Sequence, residues 1–245
     1  MIVTIHQPEH LPWLGFFNKM GNADEMIILD NVQYRKRYFQ NRNKILVNGV
    51  EKYISVPVKI DRYRDKTIAE MEIYTDKEVP WKSKYLKTIE YNYKRHPYFH
   101  TYFPFFEDLL GKNIVSLYEF NMQIINYFAK ELKIDVKLRK ASELTPLGSK
   151  SDLILDIAKR ANADVYLSGP SGRDYMKLDK YAREKVEVWF NDFIHPTYEQ
   201  KGGRKFVSHL STLDMLMNVG SEQGRKIIQN GTMITKRNAE EKNDE

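Results

Sequence analysis

The chain has 245 residues, enough for one large domain with a substantial core, and it contains no cysteine. Disulfides, a thiolate nucleophile and a cysteine-ligated metal are therefore excluded. A formal net charge of +6 favours anionic partners. No apolar run approaches the roughly 18–20 residues that span a bilayer, so a cytoplasmic protein without a membrane span is expected.

In chain order, Ile2-Val3-Thr4-Ile5 reads as a buried strand that delivers His6 and Gln7 to its carboxyl end, where open α/β sheets place their ligands. Leu11 to Ala23 is predicted helical, with Leu14, Phe17 and Met20 on its apolar face and Pro12 in its first turn. Met26 to Leu29 forms a second strand ending in Asp30-Asn31-Val32-Gln33-Tyr34. Residues 34–44 then interleave five basic with three aromatic side chains, a pattern suited to a phosphate or nucleotide, although a solvated basic loop explains it equally. Residues 45–74 look extended, with alternation at Lys52 to Val58 and Ile68 to Ile73 and a hairpin signal at Asn48-Gly49.

From Pro80 the spacing of Trp81, Tyr85, Ile89 and Tyr93 is helical, and an aromatic-rich segment follows to Phe106. Ser116 and Glu119 open a capped helix carrying Leu117, Phe120, Ile124, Phe128 and Leu132 on one face. Val136 to Leu138 is a short strand, Asp152 to Ala161 a helix, and Asp164 to Leu167 a strand ending in Ser168-Gly169 and running on to Asp174-Tyr175. Val186 to Phe190 is a last strand, Ser211 caps a helix with Leu213, Leu216 and Met217, and a disordered tail is expected over 236–245. The fold class expected is α/β: a mainly parallel sheet with flanking helices, a small antiparallel β element and a helical insertion around 80–133, all in one domain over 1–235.

Two strand ends offer chemistry. His6 suits a general acid/base or hydrogen-bonding role, set against a buried histidine satisfied by backbone. Asp30, set against a turn-forming role, joins it as the second candidate catalytic group. Gln7, Trp13, Gln33, Tyr34, Asn41, Arg42, Asn43, Ser168, Gly169, Asp174, Tyr175 and His195 are the candidate substrate-binding residues, with Arg42 suited to a bidentate phosphate contact. Glu9 and His10 lie on the turn, where exposure alone would explain them. No metal site is expected, because His96 and His100 are only two ligands with Pro97 between them. The nucleophile elbow, zinc-protease and dinucleotide fingerprints are all missing.

The strings Ile5-His6-Gln7-Pro8, Leu11-Pro12-Trp13-Leu14-Gly15-Phe16-Phe17, Asp30 to Tyr34 with Gln40-Asn41-Arg42-Asn43, Leu167-Ser168-Gly169 with Tyr175, and His195-Pro196 together resemble the WbqC-like family over most of residues 1–220. That resemblance implies bacterial surface-polysaccharide or O-antigen gene clusters. It also implies attachment of an amino acid or acyl group to the amine of a nucleotide-linked amino sugar. ATP with Mg, or an acyl-CoA, would supply the activation. A non-catalytic sugar-nucleotide-binding or assembly protein needs the same pocket, and a nucleic-acid binder is a further alternative. The opening strand, Pro8 to Trp13, helix and second strand are also similar to the HIGH-motif nucleotidyltransferase superfamily, with Pro12 in place of its glycine and Trp13 in place of its second histidine. By that similarity His6 or His10 would meet phosphate charge and Arg42 would clamp the leaving group.

Overall fold

Strand β1 (Ile2–His6) pairs in parallel with β2 (Glu25–Ile28) on one side and with β6 (Val165–Ser168) on the other in a computed structural model that describes residues 1–236. With β5 (Lys137–Lys140) beyond β2, and β7 (Glu187–Asn191) and β8 (Ile234–Lys236) beyond β6, the order is β5-β2-β1-β6-β7-β8. The five strands from β5 to β7 are parallel and β8 is antiparallel. The chain is thus α/β. The strand order reverses direction at β1, so the carboxyl ends of β1 and β6 diverge and leave a crevice.

Both sheet faces are covered, which explains why β1 and β2 read as continuous apolar runs. Val3, Ile5, Ile27 and Leu29 pack with α5 (Lys150–Arg160) and α6 (Leu178–Arg183). Met26 and Ile28 face the larger core, built with α1 (Leu14–Gly21), α7 (Thr212–Asn230) and three helices in the β2–β5 connection. These are α2 (Lys82–Tyr93), α3 (Phe99–Gly111) and α4 (Leu117–Glu131), the expected helical insertion. Ser116 caps α4 by accepting from the Glu119 amide at 3.2 Å. The small antiparallel element is the hairpin β3 (Arg42–Val47) and β4 (Val50–Ser55), turned by Asn48 and Gly49 at φ 51° and 79°.

Several expectations need correction. Helix α1 begins at Leu14 rather than Leu11. Asn43 donates to the carbonyls of His10 and Leu11, and Leu11 itself takes φ 45°, so that turn cannot be helical. The alternating stretch Ile68 to Ile73 makes only isolated bridges, Val58 with Ile73 and Glu72 with Ser116, because the segments beside it are loops. The helical pattern breaks between Tyr93 and Phe99, which separates His96 from His100. Lys236 ends β8 instead of opening a tail, and 237–245 lie outside the described residues. Helix α6 and strand β8 had no counterpart in the sequence reading.

Candidate functional site

The crevice at the β1/β6 divergence is a partly enclosed cleft of about 390 Å³. Its floor comes from the ends of β1, β6 and β7 and from α1; its lip comes from the basic loop after β2 and the turn after β6. His6, Gln7, Trp13, Ser168, Gly169 and Tyr175 line it, as do Glu9, Lys19, Arg35, Tyr38 and Asn191.

His6 ends β1 beside Phe16 of α1, ring edge to face at 4.9 Å. Its Nδ1 lies 2.9 Å from the Gln7 carbonyl; a carbonyl only accepts, so Nδ1 carries the hydrogen and Nε2 presents a lone pair. Burial, reinforced by the Lys19 charge, pushes the imidazole down to about 3 and keeps it neutral. Nε2 faces Glu9 Oε1 at 3.9 Å. Glu9 is 8% exposed, and burial pushes its carboxyl up to about 7 against the opposing pull of Lys19. Lys19 is 5% exposed on α1, donates to the Ile5 carbonyl at 3.1 Å, and is drawn down to about 7 by burial, partly offset by Glu9. Three titratable groups thus meet on one floor, two of them poised near neutrality, as proton-transfer sites require.

The basic loop reaches the cleft through a chain of amides. Gln40 Nε2 donates to Gln7 Oε1 at 2.7 Å, and Gln40 Oε1 accepts from the Arg35 amide at 2.9 Å. This places Arg35 and Tyr38 at the lip, where the sequence reading expected Arg42. The Arg42 guanidinium instead lies over the Tyr53 ring at 4.2 Å and donates to the Arg37 carbonyl. Asp30 is also elsewhere: it accepts from the Ser142 amide and hydroxyl at 2.9 and 2.6 Å, bracing the turn after β5. Tyr34 donates to Asn41, which donates in turn to the Val56 carbonyl, both at 2.9 Å. Asn43 is engaged with the His10–Leu11 turn, Gln33 donates to the Arg64 carbonyl, and Asp174 is exposed outside the cleft. His195 stacks behind Trp13 with ring centroids 6.3 Å apart and does not line the cleft.

His10 is sealed in the core. Its Nδ1 donates to Asn121 Oδ1 at 3.2 Å, its Nε2 accepts from the Tyr85 hydroxyl at 3.0 Å, and its ring stacks on Phe120. Burial holds it down to about 4, and it cannot meet a phosphate in the cleft. Among the described residues no group of three or more His, Asp or Glu side chains is placed to hold a metal ion, and no helix is long and apolar enough to cross a membrane.

Sequence reasoning missed Glu9 as a buried group, and Lys19 and Asn191 altogether. A signal existed for Lys19: Phe16 and Lys19 are three apart on the helical face next to the Leu14–Phe17 stripe, so a lysine there has to be covered once the helix packs on a sheet. Asn191 had none, since its position depends on β7 lying beside β6.

The chain is 29% identical over 223 residues to a protein of Mycobacterium tuberculosis (strain ATCC 25618 / H37Rv) described as "Uncharacterized protein Rv1507c", covering 90% of this chain and 94% of that one. No solved structure matches it. The model of the WbqC-like protein family matches residues 7–226, which takes in every residue of the cleft except Ile5 and His6. The chain belongs to the WbqC-like protein family.

Proposed function

We propose that this protein is an enzyme of bacterial surface-polysaccharide precursor synthesis that forms an amide on the amine of a nucleotide-linked amino sugar. The observation that carries this reading is the floor of the cleft, where neutral His6 presents Nε2 beside Glu9, with Arg35 at the lip for an anionic group. In amide formation the attacking nitrogen must offer a lone pair and shed a proton as its bond to the acyl carbon forms and the leaving group departs. His6 Nε2 accepts a hydrogen bond from that nitrogen, orients it and takes its proton as the bond to carbon forms; the Glu9 carboxylate, with Oε1 3.9 Å from Nε2, then receives that proton and returns the imidazole to its neutral form. Arg35 pairs with the nucleotide phosphates, and Trp13, Tyr38 and Tyr175 supply flat surfaces for base or sugar. The acyl group comes from an amino acid activated with ATP and Mg, or from an acyl-CoA.

The test incubates the protein with UDP- or dTDP-linked 4-amino sugars, amino acids with ATP and Mg, and acyl-CoA in separate arms, with mass analysis of products. An amide with AMP, or an amide with free CoA, supports the reading and identifies the activation. Sugar-nucleotide binding without product in any arm would make this a binding or assembly protein instead. Oligonucleotide binding with steep salt dependence and no sugar binding would make it a nucleic-acid binder.

A further inference from the structure

The floor of the cleft holds two opposite charges that feel one another without forming an ion pair. Lys19 and Glu9 are both buried and both line the same space, yet among the described residues no ion pair joins them. The Lys19 ammonium spends one hydrogen on the Ile5 carbonyl and keeps two. Glu9 Oε2 is buried with no donor among the described residues, and so is Oδ1 of Asn191, itself 2% exposed at the end of β7. The Ser168 hydroxyl donates to the Gly169 carbonyl at 3.0 Å, and so is already spent. No donor of the described residues reaches Glu9 Oε2 or Asn191 Oδ1, and Lys19 has no side-chain acceptor among them, whereas buried polar groups are rarely left so.

We infer that this floor is a receptor for a zwitterion: a free α-amino acid whose carboxylate lies on Lys19 and whose ammonium lies between Glu9 Oε2 and Asn191 Oδ1. The inference rests on the amide-forming reading and selects its acyl donor. A thioester brings a carbonyl acceptor for Lys19 but no cation for the buried carboxylate. Sugar hydroxyls bring donors but leave both charges unanswered. A simple amine answers Glu9 and leaves Lys19 buried alone. A ligand carrying both signs answers the two charges together and offers Asn191 a donor as well. It also leaves Glu9 Oε1 free to face His6. Burial draws the Glu9 carboxyl and the Lys19 ammonium both toward about 7, and a bound zwitterion drives them apart again, Glu9 down and Lys19 up.

Calorimetric titration of the full chain with the standard amino acids, alone and with a UDP- or dTDP-linked 4-amino sugar present, tests this. At least one amino acid is expected to bind. Its methyl ester, which lacks the carboxylate, and its N-acetyl derivative, which lacks the ammonium, should each bind at least tenfold more weakly. Lys19→Met should weaken amino-acid binding tenfold or more while sugar-nucleotide binding stays within twofold, and Glu9→Gln should weaken amino-acid binding by a similar factor. Should either variant fail to fold, the ester and N-acetyl derivatives decide the matter on the wild-type chain. Equal affinity for those derivatives overturns the zwitterion site. So does sugar-nucleotide binding, or amide formation from a thioester, with no amino acid bound. Failure to bind any amino sugar overturns the amide-forming reading itself.

Discussion

His6 and His10 stand four residues apart on one turn, and their surroundings assign them opposite work. His6 has one ring nitrogen on a carbonyl and the other in the cleft, so His6→Ala is expected to cut amide formation at least tenfold while the free energy of unfolding, followed in urea, changes by less than about 2 kcal/mol. His10→Ala strands the Tyr85 hydroxyl and Asn121 in a closed core, and should cost about 2–4 kcal/mol in the same measurement. Lys19 gives a pH prediction. Its ordinary value of 10.5 falls to about 7 in the fold, so between these values the unfolded chain holds one more proton and stability rises with pH; below about 7 the buried charge destabilises in full. The unfolding free energy of the wild type relative to Lys19→Met should therefore climb from about pH 7 to 10.5, and a flat difference would mean that Lys19 is solvated. His6, Gln7 and the Ser168-Gly169 pair were legible at the cleft because strand ends are marked by where apolar runs stop, and Trp13 lies there as the residue that opens α1. Asp30 and Arg42 carried the right chemistry, but tertiary partners, Ser142 and Tyr53, claim them.

Elements were legible where one local rule governs them. The Ser116 cap, the Asn48-Gly49 turn and the one-sided stripe of α4 need only neighbours within a few residues, and each formed where its pattern lay. The six-residue α6 and the three-residue β8 are too short for periodicity to register and exist through docking on the sheet. The stretch Ile68 to Ile73 shows the converse, since a period of two records a half-buried extended chain but not what lies beside it. Helix α7 was legible only in its first turns, and its interior holds a break: Gly220 sits at φ 75°, with the Tyr98 ring against it so closely that an added Cβ would come within 2.6 Å. Gly220→Ala combines a left-handed conformation with that collision and should lower stability by more than about 1 kcal/mol, whereas Ser116→Ala, losing one cap bond, should cost about 1 kcal/mol. Thermal melts of the two variants side by side check the order.

At the scale of the molecule, the site exists because the strand order reverses. Residues near position 6 and near positions 168 and 191 become neighbours only when β6 joins β1 and β7 joins β6, pairings that no local pattern encodes. The net charge of +6 is shared across the surface, but Arg35, Lys36 and Arg37 concentrate it beside the lip. Capture of a nucleotide-linked sugar should accordingly be faster at low ionic strength, with the association rate falling steeply and dissociation changing little as salt rises toward about 1 M. Equal loss in both rates would place the phosphates away from that loop. One further property follows from the stack at the mouth. Of the three tryptophans, Trp81 is buried in the core and Trp189 on β7 does not line the cleft, while Trp13 stacks with both His195 and His209 and forms part of the cleft wall. Its emission is thus coupled to whatever fills the adjoining space. The protein thus carries its own occupancy gauge, a tryptophan fluorescence signal by which unlabelled compounds can be screened.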